Sequence, residues 1–214
     1  MFTKQYKKLL LISALAVIAV VSAIIVVYPF LPAIEYYFNP PANPLITEKP
    51  KEVSIKKLPG ESIKETLIEE PSQVNPVPAI DPSINQLIIL KIGVQIPIVE
   101  GEDESVLNKG AWRLPMTSTP DLGGNTVLTG HRYKYSPPHK ETFYLLDKLI
   151  EGDLFQIFWQ GEEYNYQVVS SIIVNPDALE VLNPTSNPVV TLITCTPLFS
   201  TKQRLIVRGE LIGL

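Results

Sequence analysis

The chain has 214 residues, a formal net charge of −4, 20 prolines and a single cysteine. One cysteine excludes an internal disulfide and any zinc site built from several thiolates. A net negative chain without a basic block is a poor general binder of nucleic acid, so we expect no nucleic-acid partner.

The first predicted element is an apolar stretch over residues 9–27 that contains no charged side chain. About 20 apolar residues in a helix can cross a bilayer, so residues 1–33 are predicted to be a cytoplasmic N-terminus and a single membrane anchor. Lysines precede the stretch and Glu35 follows it, and positive residues stay on the cytoplasmic side. We therefore expect a single-pass protein of the cell membrane with the rest of the chain outside. A cleaved signal peptide is the alternative, although its apolar core is usually about 7–15 residues long.

Residues 34–83 are predicted to be a proline-rich linker. They contain nine of the prolines and no sustained apolar face, so the segment cannot bury enough surface to offset the entropy lost on ordering. We interpret it as an exposed stalk that holds the following domain off the membrane. A helix over residues 62–69 would be too short to be stable alone.

From residue 84 to residue 214 the pattern is typical of β-strands. Apolar and β-branched runs are separated by Gly, Asn and Pro, which predicts strands at residues 86–92, 94–99, 125–129, 153–159, 164–174, 189–194 and 203–212. Short helices are predicted at 104–109 and at 141–150, the second because Phe143, Leu146 and Ile150 recur at spacings of three and four. Seven or eight strands with few helices indicate a mainly β fold, a closed or nearly closed barrel.

Cys195 lies at the end of a predicted strand, in Thr-Leu-Ile-Thr-Cys at 191–195, and a loop with a proline follows it. Strand ends commonly display reactive side chains. A free cysteine is often a buried core residue, but outside the membrane an unpaired thiol is open to oxidation, which favours a functional role. The thiolate is the nucleophilic form, and it needs a basic or cationic neighbour.

Two histidines and an arginine are candidates for that neighbour. His131 follows a predicted strand, in Thr-Gly-His-Arg at 129–132, whereas His139 follows two prolines and is interpreted as a surface residue. A strand-end cysteine and a strand-end histidine suit nucleophilic catalysis with imidazole as the proton carrier, although such pairs also occur by chance. Arg204 lies on one face of a predicted strand with Arg208. It would either stabilise an oxyanion or be a surface charge.

Together these motifs resemble those of the sortases, the membrane-anchored cysteine transpeptidases of bacterial surfaces. The stretches that carry the resemblance are residues 92–101, 129–132, 143–153 and 191–195, with an arginine at 204. The resemblance covers about residues 87–214, which is the whole predicted domain. It implies that residues 84–214 form a single eight-stranded catalytic β-barrel.

The resemblance also implies roles for four residues. Cys195 would attack the carbonyl of a threonine in a Leu-Pro-x-Thr-Gly-like sorting signal and form a thioester. His131 would protonate the leaving amine and then deprotonate an incoming amine. Arg204 would hold the substrate backbone or the oxyanion, Thr194 would line the same cleft, and the loop at 175–188 would set specificity. The implied partners are surface proteins that carry a sorting signal, and an amine acceptor such as a cell-wall peptide or a pilin lysine.

Two other functions stay open. One is a membrane-tethered thiol peptidase that only hydrolyses, and the other is a non-catalytic surface-binding module on the same barrel. No cofactor is expected. The acidic residues at 100–104, with Asp177 and Glu180, leave calcium as an alternative, since oxygen ligands suit calcium, but solvated acidic loops are far commoner.

The subclass is the least determined part of the resemblance. Pilin-polymerising sortases often carry a lid with an Asp-Pro-aromatic motif and a second membrane helix. Here Asp81 and Pro82 are followed by Ser83, and no second apolar span follows the domain. The sequence therefore argues against a pilin polymerase.

Overall fold

The computed structural model describes residues 4–39, 81–133 and 141–213. The linker between residues 40 and 80, with the helix considered at 62–69, lies outside the described residues, and so does His139. The account below therefore concerns the N-terminal helical segment and the barrel.

The N-terminal segment is helical from Lys4 to Phe38. Helix α1 covers Lys4–Val27, a 3₁₀ turn covers Tyr28–Phe30, and helix α2 covers Leu31–Phe38. At 1.5 Å per residue, α1 is about 36 Å long, enough for a hydrocarbon core of about 30 Å. The segment is long and apolar enough to cross a membrane, and its apolar window is not buried against the barrel. Helical structure continues past residue 33, where the anchor was predicted to end.

Eight strands within the described residues close into a barrel, as predicted. They are β1 Gln86–Ile89, β2 Val94–Val99, β3 Ala111–Arg113, β4 Asn125–Thr129, β5 Leu154–Trp159, β6 Glu162–Val174, β7 Val189–Thr196 and β8 Gln203–Gly213. The order around the barrel is β1-β2-β3-β4-β7-β8-β6-β5, and β5 pairs with β1 to close it. The pairs β2–β3 and β4–β7 are parallel, and the other pairs are antiparallel.

The structure differs from the predicted elements in several places. The strand predicted over residues 86–92 ends at Ile89, and a 3₁₀ turn covers Leu90–Ile92. Strand β3 was not predicted, because three residues are too few to show a period. The helix predicted over residues 141–150 is wrong, since only a 3₁₀ turn at Leu146–Lys148 forms there. Phe143 and Leu146 are buried in the barrel core all the same. Their spacing therefore reflects consecutive turns that insert side chains into the core, and this pattern cannot be told from a helix by periodicity.

Two apolar clusters lie on opposite sides of the barrel wall. Strand β2 alternates, with Val94, Ile96 and Ile98 pointing into the main core. Strand β7 is buried on both faces, because a second cluster covers its outer side. That second cluster consists of Val127, Val181, Ile193 and Ile206, with Leu114, Val174 and Leu182 packed against it. The connection between β6 and β7 thus folds over the outside of the sheet.

Candidate active site

A cleft of about 420 Å³ lies above the second apolar cluster. Its walls come from the turn at Glu104–Asn108, from the ends of β3 and β4, from the β6–β7 connection and from the ends of β7 and β8. The volume is in the range of ordinary ligand pockets, and most of the lining side chains are apolar, which is typical of such sites. Four polar lining residues are of chemical interest, namely His131, Thr194, Cys195 and Arg204.

The pairing of β4 with β7 brings the histidine and the cysteine to one edge of the sheet. The two strands are parallel, and Thr129 lies opposite Ile193. Two residues further along each strand lie His131 and Cys195, so both emerge on the same side. The Gly130 amide donates to the Ile193 carbonyl at 3.0 Å, which extends this pairing beyond the end of β4. The motifs at 129–132 and 191–195 therefore meet in space.

Cys195 is the second-to-last residue of β7, and its free thiol is partly exposed in the cleft. Thr194 precedes it and is almost fully buried, and its hydroxyl donates to the Gly130 carbonyl at 2.8 Å. The Thr194 side chain thus fastens the segment before His131 to the segment before Cys195. A hydroxyl whose hydrogen is already donated can only accept from a ligand.

Arg204 lies directly opposite Cys195 in the antiparallel pairing of β7 with β8. Its Nη1 donates to the carbonyl of Thr201 at 2.8 Å and to that of Gln203 at 3.1 Å. Successive side chains of β8 point to opposite faces of the strand, as predicted. Leu205 belongs to the main core, whereas Ile206 and Arg204 face the cleft.

A polar network that the sequence did not single out holds the wall of the cleft. The buried side chain of Asn125 donates to the carbonyls of Val181 and Asn183, both at 3.0 Å, and accepts from the Thr191 hydroxyl at 2.7 Å. Arg208 adds a contact of 3.3 Å to the Val181 carbonyl. A polar residue at the start of a buried strand can be noticed in the sequence. Its partner Val181 is 56 residues away, so the sequence does not show which loop it binds.

A buried arginine lies directly after His131. Arg132 donates from Nε to the Tyr144 carbonyl at 2.9 Å and pairs with Asp147 at 2.8 Å, while its Nη1 is buried without a hydrogen-bond partner. Burial lowers the pKa of Arg132, and Asp147, Tyr144 and Cys195 partly oppose that effect. Burial also raises the pKa of the Tyr144 hydroxyl, with Arg132 opposing it. This cation is fixed by protein groups and is not available as a surface charge.

Two of the acidic residues considered for calcium bind other groups of the protein. Glu100 pairs with Arg113. Asp103 accepts from the Ser105 amide at 2.9 Å, and the hydrogen bonds from Ser105 lower the pKa of this carboxyl. No group of three or more His, Cys, Asp or Glu side chains with metal-binding geometry occurs in the described ranges. The expectation of no cofactor, with calcium as the alternative, stays untested.

Comparison with known proteins identifies the family of the barrel domain. Residues 87–212 match the family model of the sortase domain. The chain is 33% identical over 142 residues to Sortase SrtE1 of Streptomyces coelicolor, covering 59% of this chain and 39% of that protein. It is 31% identical over 112 residues to Sortase D of Bacillus subtilis, covering 52% and 53%. The chain thus spans about half or less of the length of these two relatives.

Solved structures give the same picture for the barrel. Sortase C1 of GBS Pilus Island 1 is 38% identical, with a TM-score of 0.56 and coverage of 64% of this chain and 67% of that one. Sortase C-1 from Actinomyces oris is 35% identical, with a TM-score of 0.56 and coverage of 63% and 75%. The curated relatives and the solved structures carry different sortase class letters.

Proposed function

Because the chain belongs to the sortase family, we propose that it is a cysteine transpeptidase that cleaves a Leu-Pro-x-Thr-Gly-like sorting signal and joins the acyl part to an amine. One observation carries this proposal, namely that Cys195, His131, Arg204 and Thr194 line a single cleft. The strand pairing described above gives a physical reason for their meeting.

The first half of the reaction forms a thioester. The Cys195 thiolate attacks the threonine carbonyl of the signal, and the carbonyl electrons move onto oxygen. When this oxyanion collapses, the carbon–nitrogen bond breaks and the leaving amine takes a proton from the His131 imidazolium. A covalent nucleophile of this kind divides one difficult acyl transfer into two easier steps.

The second half transfers the acyl group. An incoming amine attacks the thioester carbonyl, neutral His131 takes the proton of that amine, and Cys195 leaves as the thiolate. Both groups return to their starting protonation states. The acceptor would be a cell-wall peptide or a pilin lysine, and water in its place would give hydrolysis.

Arg204 would supply the positive charge that this chemistry needs. A guanidinium stays protonated and offers several donors, so Arg204 can hold a substrate carbonyl or the oxyanion while Nη1 keeps its bonds to Thr201 and Gln203. The apolar floor, which includes Ile193 and Ile206, suits the leucine and proline of the signal. Thr194 acts through the bond that fixes the His131 segment.

We further propose that the protein is anchored by helix α1 with the N-terminus in the cytoplasm and the barrel outside. The length and apolarity of α1 and the family of the barrel support anchoring. The lysines before the apolar stretch support the orientation.

The test uses the full chain in detergent micelles with a library of sorting-signal peptides. Wild type should form a Cys195-linked acyl-enzyme that mass spectrometry identifies, and Cys195→Ala should form none. His131→Gln and Arg204→Ala should lower the rate of acylation by orders of magnitude. The matched control is Arg113→Ala, since Arg113 pairs with Glu100 and does not line the cleft.

The products separate the proposed function from its alternatives. With oligoglycine or a diamine present, a transpeptidase gives a new amide, whereas a thiol peptidase gives only the free acid. A binding module would retain the peptide without any product, and its affinity would not change in His131→Gln. Either of those results would contradict the transpeptidase proposal.

A further inference from the structure

The turn that follows helix α1 contacts the barrel close to the candidate active site. The Tyr144 hydroxyl donates to the Pro29 carbonyl at 3.1 Å, although the two residues are 115 positions apart. The ring of Phe30 packs edge-on against Phe199, with ring centroids 5.8 Å apart. Tyr36, on α2, packs against the main core. The residues directly after α1 therefore contact the folded domain.

Both contacts of the turn lead to the segment that carries His131. The carbonyl of Tyr144 accepts from Arg132, the residue after His131. The ring of Phe199 also packs edge-on against Tyr133, the second residue after His131, with centroids 4.4 Å apart. Thus each of the two residues that follow the histidine contacts a residue that also touches the turn, Arg132 through the Tyr144 carbonyl and Tyr133 through the Phe199 ring.

Phe199 also has an uncommon backbone conformation. Phe199 has a φ of 62°, in the left-handed region that residues other than glycine seldom adopt. Such a conformation persists when surrounding contacts hold it. The ring of Phe199 contacts the rings of Phe30 and Tyr133, and Phe199 lies in the β7–β8 connection that links Cys195 to Arg204.

We propose that the turn Tyr28–Phe30 is a positioning element of the active site, which holds the His131 segment through Tyr144 and the β7–β8 connection through Phe199. The inference rests on the proposed function. None of the turn residues lines the cleft, so the turn sets the geometry of the reacting groups and leaves peptide binding unchanged. The membrane anchor and the chemistry are then mechanically joined, and the rate depends on the anchor being folded against the barrel.

The experiment uses the full chain in lipid nanodiscs with two variants. Phe30→Ala removes the ring contact to Phe199, and Tyr144→Phe removes a single hydroxyl with little risk to folding. Each should lower kcat about two- to tenfold, the factor that corresponds to one lost hydrogen bond or aromatic contact. KM should not change, because the β6–β7 wall of the cleft is untouched.

The controls come from the same segments of the chain. Phe38→Ala removes an exposed ring on α2 that packs against Tyr37, and Tyr164→Phe removes the hydroxyl of another buried tyrosine. Both controls should keep the wild-type kcat. A purely structural role of the turn would change the melting temperature without changing kcat of the folded enzyme.

Nuclear magnetic resonance gives a readout that needs no substrate. The chain has two histidines, so His139→Gln assigns the imidazole signal of His131 at once. That signal should shift or broaden in Phe30→Ala and Tyr144→Phe and should match wild type in both controls. A wild-type His131 signal and a wild-type kcat in the two variants would overturn the inference. If wild type forms no acyl-enzyme, the proposed function fails, and the His131 signal then decides this inference alone.

Discussion

Replacing Asn125 with alanine should loosen the wall of the cleft and weaken peptide binding. The Asn125 side chain makes three hydrogen bonds, two to carbonyls of the β6–β7 connection and one from Thr191. Each contributes about 0.5–1.5 kcal/mol net, so the free energy of unfolding should fall by about 2–4 kcal/mol. For a domain of this size that loss lowers the melting temperature by roughly 10 °C.

The same change should raise KM and leave kcat nearly unaltered. Val181 is part of the lining of the cleft, and without Asn125 its carbonyl loses a fixed donor. A peptide must then order the connection when it binds, which costs about 0.5–1.5 kcal/mol for each immobilised side chain and raises KM about three- to tenfold. The reacting groups lie at the C-terminal ends of β4 and β7 and at the start of β8. Asn125 lies at the opposite end of β4, so the substitution leaves them in place.

Thermal unfolding followed by circular dichroism, together with steady-state kinetics on a sorting-signal peptide, measures both effects. Gln156→Ala is the matched control, because Gln156 is a buried amide on β5 that also makes two side-chain hydrogen bonds and does not line the cleft. It should lose stability and keep the wild-type KM. If Asn125→Ala loses stability but keeps the wild-type KM, Asn125 does not control the wall and the reasoning is refuted.

Two further predictions concern Gly130, which precedes His131, and the pKa of Asp103. In Gly130→Ala the new methyl group would lie 2.9 Å from a ring carbon of the buried Phe143, so the free energy of unfolding should fall by about 1–3 kcal/mol and kcat should fall as well. The control Gly209→Ala crowds the core away from the cleft and should lower stability alone. Equal kcat values for the two variants would contradict this prediction. The hydrogen bonds from Ser105 lower the pKa of the Asp103 carboxyl, so this group should titrate below its ordinary value of about 3.9. Its contribution to stability is present above that value and is lost as the pH falls through the folded pKa. A titration by nuclear magnetic resonance that gives a pKa at or above about 3.9 would disprove the hydrogen bonds from Ser105 to Asp103.

The sequence could predict those site residues that are recognisable from their immediate neighbours in the chain. Cys195 and His131 were singled out because each follows an apolar run that reads as a strand, and strand ends are recognisable locally. Arg204 was a candidate because of its place on one face of a predicted strand, and the family resemblance gave it a role and added Thr194. All four residues line one cleft. What local pattern could not show is that β4 and β7 are parallel neighbours, since strand pairing depends on residues that are about 60 positions apart.

The supporting groups were beyond the reach of the sequence for the same reason. Asn125 is one polar residue at the start of a strand, and only the fold places Val181 beside it. The contacts of Pro29 and Phe30 with Tyr144 and Phe199 join residues that are 115 or more positions apart, on either side of a linker whose sequence has no periodic pattern.

The sequence by itself determined the apolar helix, the strand-rich domain and the candidate site residues, because hydrophobic periodicity and motif spacing are local properties of the chain. Only the tertiary structure decided that residues 141–150 form turns, that β3 completes the barrel and that the turn after α1 contacts the barrel through Tyr144. Each of these depends on which surfaces a side chain meets after the chain has folded, and that is a property of the packed barrel.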